Sequence, residues 1–194
     1  YEFANEPYNI LKQDLPITLS KEFQVISLID DFRKRGHLFT KTNPVRARRE
    51  YLPQLDITNF NLTKEDLETI FQAGNEVGLG PTTLAQILKH LETVYCQSIG
   101  IEYVYIRETK EFEWIKQFIH KNNNQPLFSR EKKIEILKEL NSVVNFEKFL
   151  HKKYVGQKRF SIEGAESLIP ALEHALSCGS SLGVKEFVFG MAHR

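Results

Sequence analysis

The chain has 194 residues, with 26 Lys and Arg against 25 Asp and Glu, 41% apolar residues and 26% charged ones. These are ordinary globular values. They exclude collagen-like, low-complexity and wholesale disordered chains, and a formal net charge of +1 gives no electrostatic case for a polyanionic partner. The longest apolar runs, such as Val25-Ile26-Ser27-Leu28-Ile29, fall far short of the roughly 20 residues of a membrane span. Tyr1-Glu2-Phe3-Ala4-Asn5-Glu6 has neither the basic start nor the apolar stretch of a secretory signal.

Residues 1–20 carry Pro7, Asp14 and Pro16 without a clear period and read as an extended arm. A first helix is expected over 21–35. Ser20 would cap it, Val25, Leu28, Ile29 and Phe32 recur at helical spacing, and Gly36 would stop it. Residues 37–62, with Pro44 and Pro53, are irregular. A second helix is expected from Thr63, where Asp66 completes a capping box and Leu67, Ile70 and Phe71 supply an apolar face. Gly78, Gly80 and Pro81 make a turn into a longer helix over about 83–98, striped by Leu84, Ile87, Leu88, Leu91 and Tyr95. A short candidate strand at 101–106 precedes helices at 108–121, 130–142 and 146–153, the last capped by Asn145.

The pattern changes near Gly156. Phe160-Ser161-Ile162 looks extended, a helix capped by Ser167 would place Pro170 in its first turn, and Val184 to Phe189 reads as a strand. The expected fold is therefore mostly α: an arm (1–20), a helical subdomain (21–156), and the first strand–helix–strand of an α/β domain (157–194).

Candidate chemistry is sparse. Cys96 and Cys178 read as two reduced core thiols. No Cys-x-x-Cys or His-x-x-x-His pair is present, so no metal ligand is expected. Arg33, Lys34, Arg35, Lys41, Arg46, Arg48 and Arg49 form a basic cluster with little aromatic interleaving, read as a solvated face or one that meets acidic groups, not as a nucleic-acid surface. Gly78 to Thr83 lacks a P-loop lysine and reads as helix entry. His90 and His174 sit in helices without a partner at ligand spacing. His193 and Arg194 follow the apolar segment 184–189, and the ends of α/β strands are where ligands bind.

Three runs of residues resemble a known family. Arg35-Gly36-His37-Leu38 with Lys41-Thr42-Asn43-Pro44, then Lys158 to Gly164 with Leu168-Ile169-Pro170, and finally Phe189-Gly190-Met191-Ala192-His193-Arg194 look like segments of the 2-oxoglutarate dehydrogenase decarboxylating component. The resemblance runs from about residue 21 to the end and is carried least by residues 55–150. It implies an enzyme of the tricarboxylic acid cycle, several-fold longer than this chain, in which thiamine diphosphate and Mg2+ lie between the subunits of a homodimer. 2-Oxoglutarate is oxidatively decarboxylated there, and the succinyl group passes to lipoyl groups of a dihydrolipoyl succinyltransferase in a multienzyme complex. By the resemblance, 157–194 opens the thiamine diphosphate-binding domain, His193 is the catalytic histidine that contacts substrate, and Arg194 binds the cofactor's diphosphate. The family's magnesium motif is absent, so the chain reads as an early fragment that is inactive alone. The setting implied is bacterial cytoplasm or mitochondrial matrix. Two relatives, 2-oxoadipate dehydrogenase and 2-oxoglutarate decarboxylase, share these motifs, and a non-catalytic helical interaction module is the alternative of another class.

Overall fold

The computed structural model describes residues 17–43, 45–46, 55–158 and 160–190. It is mostly helical, with one two-stranded ladder among the described residues. The chain divides into two compact units, Tyr1–Pro126 and Leu127–Arg194, so the boundary expected at residue 156 falls inside the second.

In the first unit, α1 spans Ile17–Arg35. It begins four residues earlier than expected and contains Ser20 instead of being capped by it. Nothing in Thr18-Leu19-Ser20 breaks a helix, and extending one adds a hydrogen bond for each residue fixed. Its apolar stripe, Val25, Leu28, Ile29 and Phe32, is buried. Arg33, Lys34 and Arg35 lie in the last turn, where the helix dipole favours cations. Gly36 does not stop α1 through a left-handed conformation. It opens the short 3-10 helix Gly36–Phe39 and is needed for space, since a Cβ there would stand 2.5 Å from the Cβ of Tyr95.

The expected second α-helix is a correction. The capping box forms as read, with the Thr63 N–H donating to Asp66 Oδ2 at 2.8 Å, but only the five-residue 3-10 helix Lys64–Glu68 follows. Ile70–Phe71 (β1) then pairs antiparallel with Thr82–Thr83 (β2), Ile70 opposite Thr83. Two ties to α1 set this path. Lys21 holds Asp66, and the Glu22 carboxylate accepts the N–H groups of Gln72 and Ala73 at 2.7 and 3.0 Å, donors that a continuing helix would have turned inward. The 3-10 helix Gln72–Val77 ends on Gly78 in the left-handed region (φ 78°), which suits glycine.

Helix α2 spans Leu84–Tyr95, capped by the Thr83 hydroxyl, which accepts the Gln86 N–H at 3.3 Å. Leu84, Ile87, Leu91, Val94 and Tyr95 are all buried against α1 and the 3-10 segments. The candidate strand at 101–106 is a turn, closed by the Ile106 N–H on the Tyr103 carbonyl. Helix α3, Thr109–Lys121, is the one expected there and buries Ile119 and His120. Beyond it, the Asn124 side chain donates to the Val94 carbonyl at 2.9 Å and fastens the chain to the end of α2.

The second unit contains α4, Arg130–Lys153, capped by Ser129, and α5, Leu168–Ser181. The two helices expected over 130–153 are one. No Gly or Pro interrupts the stretch, and Asn141, Ser142 and Asn145 each cost under about 1 kcal/mol in a helix interior. Pro170 falls in the first turn as expected, and Ser167 precedes the helix but does not cap it, since its backbone is already helical (φ -64°, ψ -14°) and its side chain makes no cap hydrogen bond. Neither 160–162 nor 184–189 is in a strand. The Ile162 N–H is taken by the Glu147 carboxylate. Gly183 (φ 92°) turns the chain so that the Val184 N–H bonds the Gly179 carbonyl and the Phe187 ring packs over Gly179.

Candidate functional site

His193 and Arg194, the site residues expected from sequence, lie outside the described residues, as do Arg48 and Arg49. The rest of the basic cluster is not one surface. Arg33 is buried, with Nη1 on Asp30 at 2.8 Å and Nη2 on the Glu76 carbonyl at 2.8 Å, and Arg35 pairs with Asp31. Cys96 is half-buried, and burial pushes its thiol pKa up to about 11. Cys178 is exposed, not in a core, because its side of α5 is uncovered. Its Sγ faces His174 Nε2 at 3.5 Å. Among the described residues no helix is long and apolar enough to cross a membrane.

The described residues instead bring together a group that sequence reading leaves scattered. In the first unit a cleft of about 710 Å³ opens between the Asn75–Leu79 turn, α2 and α3. His90 and His120 lie in its wall, with Glu76, Glu113, Lys116 and Lys121 around it. His90 Nε2 and His120 Nδ1 are 2.9 Å apart, His120 Nε2 is 3.0 Å from the Tyr95 hydroxyl, and that hydroxyl is 2.9 Å from the hydroxyl of Tyr103. Four polar side chains from α2, α3 and the turn between them thus form one continuous line beside the Arg33 guanidinium of α1.

Burial sets the electrostatics of this line. It pushes the His120 pKa down to about 3, helped by His90, Arg33 and Lys116. It also lowers His90, partly offset by a hydrogen bond to the backbone of Val77. Burial raises both Tyr95 and Tyr103, so the phenols stay protonated. At neutral pH the line is therefore uncharged. The imidazole rings lie within 23° of one plane with centroids 5.2 Å apart, a head-to-head arrangement. Their facing nitrogens point at each other and not toward a shared third point, so the pair can pass a proton but does not form a metal vertex. Among the described residues, no group of three or more His, Cys, Asp or Glu could hold a metal ion. His90 had no visible partner in the sequence because its partner lies on another helix, thirty residues on. The signal available was His120 beside Ile119 on the apolar side of α3.

No protein-family model matches the chain. It is 38% identical over its whole length to the 2-oxoglutarate dehydrogenase E1/E2 component of Corynebacterium glutamicum. Over 90% of its length it is 37% identical to the 2-oxoglutarate dehydrogenase E1 component of Azotobacter vinelandii and 39% identical to the multifunctional 2-oxoglutarate metabolism enzyme of Mycolicibacterium vanbaalenii. The chain spans 16%, 19% and 14% of those proteins' own lengths. Identity at this level is sustained across nine tenths or more of the chain, so along this stretch it is similar to 2-oxoglutarate dehydrogenase E1 components.

Proposed function

We propose that the chain is an early, mostly helical part of a 2-oxoglutarate dehydrogenase E1 component, and that the whole protein oxidatively decarboxylates 2-oxoglutarate and passes the succinyl group to lipoyl groups of a succinyltransferase. The observation that carries this reading is the sustained identity to relatives bearing that name, together with the three runs of residues that resemble the family independently of any comparison. On this reading the protein works as a homodimer within a multienzyme complex in the bacterial cytoplasm. Residues 157–194 enter the thiamine diphosphate domain, with 184–189 completing a sheet there.

Thiamine diphosphate, when bound, supplies the electron sink that decarboxylation requires. Among the described residues no group of three or more His, Cys, Asp or Glu fits a magnesium site. Two residues of this chain fit the remaining tasks by their chemistry. The His193 imidazole can donate to a substrate carboxylate and move a proton near neutral pH. The Arg194 guanidinium can grip a diphosphate with two parallel hydrogen bonds.

The test uses the whole protein with thiamine diphosphate and Mg2+. Carbon dioxide release from 2-oxoglutarate is expected, and so is a split between two variants. Arg194→Ala should weaken cofactor binding, measured by calorimetry, by about 10- to 100-fold, the worth of a charge-assisted contact. His193→Ala should leave cofactor binding within about twofold and lower kcat/KM for 2-oxoglutarate by about 100-fold or more. Absence of 2-oxoglutarate turnover in cofactor-loaded protein would defeat the reading of the activity. Unchanged kinetics and cofactor binding in both variants would defeat the two roles.

A further inference from the structure

Helix α3 has two unlike sides. Its inner side packs Phe112, Ile115 and Ile119 into the core of the first unit. Its outer side carries Glu111, Trp114, Phe118 and Lys121, all exposed. Spacings of three, four and three residues set these four in one narrow stripe about three turns long, the a–d–a–d pattern of a helix that meets another helix. Trp114 is 64% exposed and Phe118 53%, and their rings stack with centroids 5.3 Å apart and planes at 16°. Trp114 is the one tryptophan of the chain. An apolar pair held flat toward solvent marks a contact site, and tryptophan is among the residues most enriched where interfaces gain their energy.

The two ends of the stripe carry opposite charges. Glu111 lies in the first turn of α3 and Lys121 in the last. Neither makes an ion pair with another described residue, whereas Glu113 and Lys116 of the same helix are joined at 2.7 Å. A partner of a single charge sign would repel one end or the other. A stripe that runs acid, aromatic, aromatic, base is its own complement once it is turned end over end.

We propose that this stripe docks on the same stripe of a second copy of the chain, with the two α3 helices antiparallel about a two-fold axis level with Lys116. Each residue then meets a different one across the axis, and the exchange is mutual, as a two-fold contact requires. Trp114 lies against the partner's Phe118 and Glu111 against the partner's Lys121, each pair formed twice. Lys110 falls opposite the partner's Asn122, so no like charges face each other. A parallel arrangement would set Glu111 on Glu111 and Lys121 on Lys121. The contact goes beyond the homodimer of the proposed function, because it assigns an interface to named residues of this chain. Four side chains from one helix bury well under the roughly 800 Å² per partner of a standard interface, so the association is weak, with a Kd on the order of 100 µM. The exposed ion pairs set direction and register more than strength.

Sedimentation equilibrium and tryptophan emission of the chain, from about 5 µM to about 1 mM, read the contact. The mean mass should rise toward that of two chains, and the emission should move to shorter wavelength over the same range. Phe118→Ser should leave a monomer. Glu111→Lys and Lys121→Glu, made singly, each turn two attractive pairs repulsive and should weaken association by about tenfold or more. The double variant should associate within about threefold of the original. Reversing both charges opposes the helix dipole, so a merely structural effect would be largest in the double variant, the one expected to recover. The proposal is overturned if the chain stays monomeric at about 1 mM, or if Trp114 already emits as a buried ring at the lowest concentration, which would mean that the chain covers the stripe itself. It is also overturned if Phe118→Ser leaves the dimer intact or if the double variant fails to recover. None of these readouts depends on turnover, so the catalytic reading stands or falls separately.

Discussion

Replacing Gly36 by alanine tests the central packing statement about the first unit. A Cβ at this position would lie 2.5 Å from Tyr95 Cβ, 3.3 Å from Tyr95 Cγ and 3.7 Å from Phe32 Cδ1. The nearest of these atoms is fixed to the backbone of α2, so no rotamer change relieves the contact and the junction of α1 and α2 must separate. Overpacking of this kind costs about 1–3 kcal/mol. Alanine also reduces the freedom of the unfolded chain, which returns about 0.4–1 kcal/mol. The clash wins, and the expected net loss is about 1–2 kcal/mol. Urea unfolding should show a midpoint lowered by roughly 0.5 M with an unchanged slope, because the surface exposed on unfolding is the same. Gly100→Ala is the control. Its added Cβ would meet only the Thr40 hydroxyl at 3.4 Å and softer contacts beyond, so it should stay within about 0.5 kcal/mol. A Gly36→Ala chain as stable as the original, or more so, would mean that α1 and α2 do not approach at this glycine and that the reasoning is wrong.

Leu91, fully buried in the stripe of α2, should cost about 2–5 kcal/mol when cut to alanine, read by the same urea titration; a loss under 1 kcal/mol would place it outside a packed core. The Asp66 carboxyl is held below its ordinary value of 3.8, first by Lys21 and then by Thr63, against the opposing effect of burial. A carboxyl depressed in the folded state stabilises above its unfolded pKa and loses that contribution as pH falls through its folded value. The stability difference between the original chain and Asp66→Asn should therefore be steady from pH 7 to about pH 5 and shrink below about pH 4, measured by urea unfolding at each pH; a difference that does not narrow in acid would refute the assigned ion pair.

What the sequence disclosed of the fold follows from how local each determinant is. The stripe of α2 declared itself because Leu84, Ile87, Leu91 and Tyr95 recur at helical spacing, and Thr83 supplies its cap in the adjacent residue. The segment from Thr63 carried an equally legible capping box and still did not become an α-helix. Glu22, fifty residues earlier, captures the backbone donors of Gln72 and Ala73, and a single-sequence pattern holds no trace of that capture. The same distinction separates the polar groups. His90, Tyr95, Tyr103 and His120 look unremarkable one at a time, two of them on the same helix, one in a turn and one at a helix end. They become a line only when α3 folds back beside α2. His193 and Arg194 entered through resemblance to a family, a source of information that owes nothing to periodicity.

The segment Val184 to Phe189 shows why alternation and β-branched residues mark a capacity and not an outcome. A strand is completed by a neighbour, since each ladder hydrogen bond needs a second backbone at the right spacing, whereas a helix satisfies itself within one segment. Among the described residues of the second unit only Pro170 is buried, and Val188 stands 96% exposed. Helices α4 and α5 persist there because caps, propensity and internal hydrogen bonds require little from outside. The apolar residues between Val184 and Phe189 have no such internal partner, and Phe187 finds the nearest apolar cover available, the bare backbone at Gly179. The physical content of the sequence reading is thus conditional: with an adjoining strand these residues have the composition to join a buried sheet, and without one the chain turns at Gly183 and lies against its own helix.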